Sequence, residues 1–129
     1  MTTDPSLMRE FVAQYFEATR SNDARLWANR FAENAVVEDP VGTKPVNSSA
    51  EILEVGKVFM SGFETVGLNE EFVHVIGNEA AARWTGRGLT KEGKRVRFEG
   101  INIFEFNGEG QIINLKGYWS PNGTIEETE

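Results

Sequence analysis

The sequence predicts an α+β fold in which three N-terminal helices pack on a curved, mainly antiparallel sheet. Apolar residues recur at helical spacing in the first half of the chain, whereas in the second half they alternate with polar residues between turns. Helices followed by consecutive strands, without regular alternation of the two, are typical of α+β proteins. A sheet curved around helices leaves space between the layers, so we expect an apolar pocket there.

The first helix is expected to begin at a capping residue. Asp4 can accept a hydrogen bond from a backbone N–H of the first turn, and Pro5 fits that turn because its missing N–H would have no helical partner. Apolar residues then share one face: Phe11, Val12, Tyr15 and Phe16. Residues 21–23 break this helix and recap the chain. A second, short helix is expected to carry Leu26, Trp27 and Phe31.

The third helix is expected after a short strand and a loop. Residues 35–39 are predicted to form the strand, and residues 43–47 form the loop. Ser48 and Glu51 have the spacing of a capping box, in which each side chain bonds the backbone N–H of the other residue. The helix that they open is expected to carry Ile52, Val55, Phe59 and Phe63.

The second half of the chain is predicted to form strands joined by turns. The strands are expected at residues 72–76, 80–89, 95–106 and 111–119. Glycine-containing turns separate them at residues 77–78, 91–94 and 107–110. Residues 121–123 are expected to end the sheet. We expect a single domain over residues 1–129, with about 1–4 and 124–129 frayed.

Composition narrows the classes of function and of site. The net charge of −7 argues against a nucleic acid or an anionic membrane as a partner. The absence of cysteine excludes disulfides and thiolate catalysis, and a single histidine, His74, disfavours a histidine-based zinc site. No apolar run has the length of a membrane span, and the N-terminus lacks the features of a signal peptide. We therefore expect a cytoplasmic protein.

Asp39 and Tyr15 are the first candidates for chemistry. Pro40 disfavours a helical conformation at Asp39, so this carboxylate is expected at a rigid strand end among valines. Tyr15 can supply a phenolic O–H to the same pocket. A base and a neutral acid are the minimum groups for moving a proton next to a carbonyl. From the residues alone, Asp39 can equally be a turn residue, and the pattern around Tyr15 favours a core residue on an amphipathic helix.

Asn102 is a third candidate because of its position in a predicted strand. It alternates with Ile101 and Ile103, and it shares a sheet face with Phe104 and Phe106. That face is apolar, so the amide of Asn102 needs a hydrogen-bond partner there. The arginines alternate in the same way along the strands and are expected to form a solvated or ion-paired face: Arg83, Arg87, Arg95 and Arg97.

The order of these elements resembles the nuclear-transport-factor-2-like (NTF2-like), or SnoaL-like, superfamily, and within it the bacterial steroid Δ5-3-ketoisomerases. In that family a tyrosine of the first helix precedes the aspartate of an Asp-Pro-Val-Gly sequence by a fixed interval, which Tyr15 and Asp39 keep. Further similar segments are residues 31–35, 78–81 and 104–108. The resemblance covers nearly the whole chain. It implies a cone-shaped domain, a homodimer and chemistry without a cofactor.

The resemblance also implies roles for individual residues. Asp39 matches the catalytic base, Tyr15 matches a donor to the substrate oxyanion, and Asn102 stands at the position of a second, protonated aspartate. Substrate-binding positions are Trp119, Val41, Val55, Trp84 and Phe104. At position 56 a tyrosine that supports Tyr15 is expected, but this chain has Gly56. Tyr15 is therefore expected to lack that support, in a wider pocket.

The function implied is a cofactor-free isomerase that shifts a C=C bond next to a ketone, acting on an apolar, steroid-like or polyketide-like small molecule. Two alternatives stay open: a SnoaL-like polyketide cyclase or related enolate-forming enzyme, and a non-catalytic binding module for an apolar ligand. Epoxide hydrolysis, known in another branch of the superfamily, is disfavoured. It needs an Asp–Arg–Asp arrangement, and no aspartate follows Asp39 in this sequence.

Overall fold

A computed structural model of the chain describes residues 4–127. The helices are α1 Pro5–Thr19, α2 Ala24–Ala28 and α3 Ser49–Ser61. The strands are β1 Phe31–Glu38, β2 Phe63–Ile76, β3 Glu79–Thr90, β4 Arg95–Phe106, β5 Ile112–Tyr118 and β6 Ile125–Glu126. A single 3₁₀ turn, Pro121–Gly123, lies between β5 and β6. No helix within residues 4–127 is long and apolar enough to cross a membrane.

The helices begin at the capping residues that the sequence indicates. The carboxylate of Asp4 accepts a hydrogen bond from the N–H of Ser6 at 2.9 Å, at the start of α1. Asp23 caps α2 in the same way. At α3 the Ser48 hydroxyl accepts from the Glu51 N–H at 3.2 Å, and the Glu51 carboxylate accepts from the Ser48 hydroxyl at 3.0 Å. The bonds accepted from N–H groups satisfy backbone donors that a helix leaves free at its N-terminus, and the bond between the two side chains holds the Ser48 cap in place.

Two residues predicted to lie in helices instead begin strands. Phe31 opens β1, because α2 ends at its cap Asn29. Phe63 opens β2, because Gly62 ends α3. The strand expected at residues 72–76 is thus only the last part of β2.

A β-bulge explains why the first part of β2 was not predicted. The register with β3 shifts between Glu70 and Phe72. Before the bulge, Val66 and Leu68 are buried, whereas after it Val73 and Val75 pack against the core. The inward-facing positions therefore change from even to odd numbers, which breaks the alternation that identifies a strand. Because of the bulge, Phe72 also faces outward.

The sheet is curved and mostly antiparallel, in the order β1-β5-β4-β3-β2. Among the strands of residues 4–127, β1 and β5 form the one parallel pair. Helix α1 lies against β2 and β3, whereas α3 lies against β1 and β2 and carries α2 beside it. The predicted α+β architecture is therefore confirmed. The concave face of the sheet and the helices enclose the buried residues, while the convex face is turned outward.

The tail is ordered to a greater extent than the sequence indicates. Within the stretch predicted to be frayed, β6 pairs with the first part of β4, beyond the reach of β5. The Glu127 carboxylate lies 3.6 Å from the Arg97 guanidinium and 4.0 Å from that of Arg87. The prediction was wrong for this part of the tail, because an open strand edge and two arginines were available to hold it. Residues 1–3 and 128–129 lie outside the described residues.

Candidate active site

A cavity of about 70 Å³ lies between the helices and the concave face of the sheet. Its wall is mostly aromatic and aliphatic. Apart from the tryptophans, the polar side chains in the wall are Tyr15, Thr19, Asp39 and Asn102. The hydroxyl of Thr19 is occupied by the backbone, because it accepts from the Leu68 N–H at 3.1 Å and faces the C=O of Phe16 at 2.5 Å and that of Leu68 at 3.2 Å as acceptors for its proton. Tyr15, Asp39 and Asn102 are therefore the polar side chains that are available for chemistry in the cavity.

Asp39 directly follows β1 and turns its carboxylate toward the cavity. The indole N–H of Trp119 donates to Oδ1 of Asp39 at 2.7 Å, a short hydrogen bond to a charged acceptor. The carboxylate lies so close to the backbone of Gly117 that a β-carbon added there would overlap Oδ1. Burial of the carboxylate raises the pKa of Asp39 to about 6, and the bond from Trp119 opposes this rise.

Asn102 is oriented by a second tryptophan. The indole N–H of Trp84 donates to Oδ1 of Asn102 at 3.0 Å. Because an indole N–H can only donate, this bond turns the amide so that Nδ2 faces Tyr15, and Nδ2 donates to the Tyr15 hydroxyl oxygen at 3.4 Å. The amide of Asn102 retains a second N–H that can donate to a ligand.

A third tryptophan contacts the phenol of Tyr15. The indole N–H of Trp27 donates to the Tyr15 hydroxyl oxygen at 3.3 Å. With donors on two sides of this oxygen, the Tyr15 proton is directed away from both and can donate to an oxygen atom in the cavity. Burial and the nearby charge of Asp39 raise the pKa of Tyr15, while the bonds from Trp27 and Asn102 act in the opposite direction. Tyr15 is therefore a neutral proton donor at physiological pH.

The sequence profile of the SnoaL-like domain family matches residues 12–115. The chain belongs to this family. A steroid Delta-isomerase of Nocardioides simplex is 27% identical over 115 residues, which cover 88% of this chain and 90% of that protein. A solved structure described for the epoxide hydrolase/cyclase-like enzyme SalBIII, with a role in pyran ring formation in the polyether salinomycin, is similar with a TM-score of 0.86. The alignment with that structure covers 98% of this chain and 100% of the SalBIII chain at 22% identity, and this likeness establishes the fold.

This SnoaL-like domain brings most of the predicted site residues to one cavity. Asp39, Tyr15 and Asn102 lie in its wall. Three of the predicted substrate-binding residues do as well: Val55, Trp84 and Trp119. Within residues 4–127, no group of three acidic or histidine side chains is arranged to hold a metal ion.

Two predicted substrate-binding residues lie outside the cavity wall. Val41 is 39% exposed, because the chain turns away after β1 and the Val41 N–H pairs with the C=O of Gly117. Phe104 is 1% exposed and packs behind Tyr15, with the ring centroids 4.9 Å apart. Phe104 therefore packs against the phenol from within the core.

The sequence did not indicate two features of the SnoaL-like site. The first is an aromatic wall, in which the ring centroids of Phe59 and Phe98 lie 5.9 Å and 5.6 Å from that of Trp119. The second is Trp27, which fills the space beside Gly56. The expectation that Tyr15 lacks support was wrong, because Trp27 supplies an N–H. No short motif marks Trp27, since its contact with Tyr15 depends on how α2 packs on α3.

Proposed function

We propose that the protein is a cofactor-free isomerase that shifts a C=C bond next to a ketone in an apolar, steroid-like substrate. One observation carries the proposal: a carboxylate of raised pKa and two neutral donors, Tyr15 and Asn102, share one apolar cavity. The kinship with a steroid Delta-isomerase over most of both chains supports a steroid-like ketone as the substrate.

In the proposed mechanism, Asp39 first removes a proton from the carbon between the carbonyl and the C=C bond. The electron pair of that C–H bond forms a C=C bond to the carbonyl carbon, the π pair of the C=O bond moves onto the ketone oxygen, and a dienolate results. The Tyr15 hydroxyl and the free N–H of Asn102 donate to this oxygen as its charge develops. The protonated Asp39 then returns the proton to the carbon of the original C=C bond that is farther from the carbonyl, and the C=O bond forms again. Substrate and product are isomers, and the carbonyl itself accepts the electrons, so the reaction requires no cofactor.

The environment of Asp39 suits a general base. With a pKa of about 6, the carboxylate is ionised at neutral pH. It nevertheless holds a proton more tightly than an ordinary aspartate, because its pKa is raised. The pKa of the base is thus closer to that of the weakly acidic C–H group from which it takes a proton. The hydrogen bond from Trp119 fixes the position of Oδ1, so that the lone pairs of the carboxylate are directed rather than mobile.

A polyketide cyclase or a related enolate-forming enzyme would use the same base and donors, and the choice of substrate separates it from an isomerase. A non-catalytic binding module would bind an apolar ligand and be indifferent to the loss of Asp39. Epoxide hydrolysis has little support, because Asp39 is the only carboxylate in the described wall of the cavity and no arginine lies there.

Tyr15→Phe tests the role of the phenol. With a Δ5-3-ketosteroid as substrate, we expect kcat to fall on the order of 10²–10³-fold while KM changes little, because the lost bond forms mainly in the transition state. Tyr118→Phe is a matched control, since it makes the same chemical change at the only other tyrosine, which lies outside the wall of the cavity and keeps its aromatic ring in the variant. Equal kinetics of Tyr15→Phe and the control would remove Tyr15 from the mechanism.

We also propose that the convex face of the sheet carries a homodimer. Phe72, Arg83, Ile101 and Tyr118 lie in register across neighbouring strands. The apolar members of this row are 64%, 44% and 47% exposed, in that order, and an apolar surface of this kind is typical of an interface. Light scattering should give twice the mass of the chain, and Ile101→Asp should give the mass of a monomer. A monomeric wild type at high concentration would exclude this dimer.

A further inference from the structure

We propose that Trp27 is a positioning residue for Tyr15, and that Gly56 is the residue that makes room for it. The inference rests on the proposed function in one respect, since it takes the Tyr15 hydroxyl to be a donor to the substrate. Trp27 acts through Tyr15: its indole N–H orients the phenol and strengthens it as an acid.

The contact between Trp27 and Tyr15 has a fixed direction. Trp27 is 6% exposed, so its N–H lies out of water and needs a partner within the protein. That partner is the Tyr15 oxygen at 3.3 Å, which also accepts from Asn102 at 3.4 Å. Neither donor can accept the phenol proton through the atom that makes the contact. Together they turn the Tyr15 proton away from the indole and the amide, and Tyr15 lies in the wall of the cavity, where a ligand oxygen can accept that proton.

Gly56 sets the position of the indole ring. A β-carbon built on Gly56 would lie 2.8 Å from Cε3 and 3.2 Å from Cζ3 of Trp27, closer than side chains pack. The ring of Trp27 also packs on Phe31, with the centroids 4.8 Å apart. The indole is therefore held between α3 and the start of β1. Any larger side chain at position 56 must displace it and move its N–H relative to Tyr15.

The N–H groups of Trp27 and Asn102 matter most when negative charge develops on the Tyr15 oxygen. As Tyr15 shares its proton with the dienolate oxygen, negative charge grows on the phenol oxygen, and the bond from Trp27 stabilises it. Bonds of 3.3 Å and 3.4 Å are longer than the usual 2.9–3.0 Å, and such bonds commonly tighten only in the transition state. Loss of the Trp27 N–H should therefore lower kcat more than it weakens substrate binding.

The first test is a double-mutant cycle between Trp27→Phe and Tyr15→Phe, measured by turnover of a Δ5-3-ketosteroid. Phenylalanine keeps an aromatic ring in the space but removes the N–H. In the wild-type background we expect kcat to fall about tenfold with KM within about twofold. In the Tyr15→Phe background we expect less than about a twofold further change, because the acceptor hydroxyl is already gone. Equal losses in both backgrounds would show a merely structural role and overturn the proposal.

Gly56→Ala is a second test of this inference. It removes no polar group, and it stays informative if Trp27→Phe folds poorly. The added methyl should displace the indole and lower kcat about fivefold, on the scale of a misplaced catalytic group. In the Trp27→Phe background, whose smaller ring leaves space, we expect Gly56→Ala to change kcat less than about twofold. An unchanged kcat in the wild-type background, or the same loss in both, would contradict the assignment.

Binding of 2-naphthol separates this inference from the proposed function, because its hydroxyl oxygen can accept from Tyr15 without any turnover. We expect Trp27→Phe to weaken its binding about threefold in the wild-type background and not in the Tyr15→Phe background. Coupling in 2-naphthol binding without ketosteroid turnover would support the role of Trp27 and count against the isomerase. Turnover without coupling would overturn the role of Trp27 alone.

Discussion

Replacement of Asp39 by asparagine should stabilise the fold while removing the proposed base. Burial raises the pKa of Asp39 from its ordinary value of 3.8 to about 6, so the folded state disfavours the charged form. At about 1.4 kcal/mol for each tenfold change in proton affinity, keeping this carboxylate ionised costs the folded state roughly 3 kcal/mol. Asparagine has the same shape, carries no charge and can still accept the hydrogen bond from Trp119.

The gain in stability from Asp39→Asn should be larger at high pH than at low pH. Because the pKa of Asp39 is raised in the folded state, the wild type loses stability as the pH rises from about 4 to about 6, and the loss is complete above that. We therefore expect Asp39→Asn to be more stable by roughly 3 kcal/mol at about pH 8 and by roughly 1 kcal/mol at about pH 4.5.

Urea unfolding of both proteins at the two pH values, at a fixed protein concentration, measures this difference. The matched control is Asp23→Asn, which makes the same chemical change at the exposed cap of α2. Because aspartate and asparagine cap helices about equally well, it should change the free energy of unfolding by less than about 1 kcal/mol. A variant at position 39 that is no more stable than the wild type at pH 8, or a gain independent of pH, would refute the account of the buried carboxylate.

The remaining predictions concern the pH profile and the position of the base. The kcat/KM of the wild type should rise with pH to a plateau above an apparent pKa of about 6. Ionisation of Tyr15 should not lower kcat/KM below about pH 10. A kcat/KM that stays constant on the acid side would contradict Asp39 as the base. Trp119→Phe removes a bond that lowers the pKa of Asp39, so this acid limb should move up by roughly one pH unit, and a downward shift would contradict that bond. Gly117→Ala places a methyl group against Oδ1 of Asp39 and should lower kcat on the order of 10²-fold in a protein that still unfolds cooperatively; unchanged kinetics would mean that the carboxylate does not need this position.

The fold was predictable where local chemistry decides it. Asp4, Asp23 and Ser48 cap helices through side chains that lie within three residues of their partners, so the sequence alone indicates them. The first part of β2 was not predictable, because the bulge near Glu71 reverses the alternation of buried positions. Nor was β6, whose partner strand lies far from it in the chain. Elements held by long-range pairing leave a weaker local signal.

The candidate site was predictable only through the resemblance to a family. Tyr15 and Asp39 keep an interval that the family fixes, which no rule of periodicity supplies. Val41 could not be placed, because the alternation of β1 does not continue past the turn that follows it. The part played by Trp27 could not be predicted either. It depends on the packing of α2 against α3 at Gly56, a contact between residues far apart in the chain.

The most direct test of the account is the formation of a conjugated enone from a Δ5-3-ketosteroid, followed by ultraviolet absorption with the wild type and Asp39→Asn side by side. The account predicts turnover by the wild type and a loss of at least roughly 10²–10⁴-fold in the variant, whose cooperative unfolding would show that the fold is intact. Absence of turnover by a well-folded wild type, or equal turnover by both proteins, would contradict the claim that Asp39 is the base of a ketosteroid isomerase.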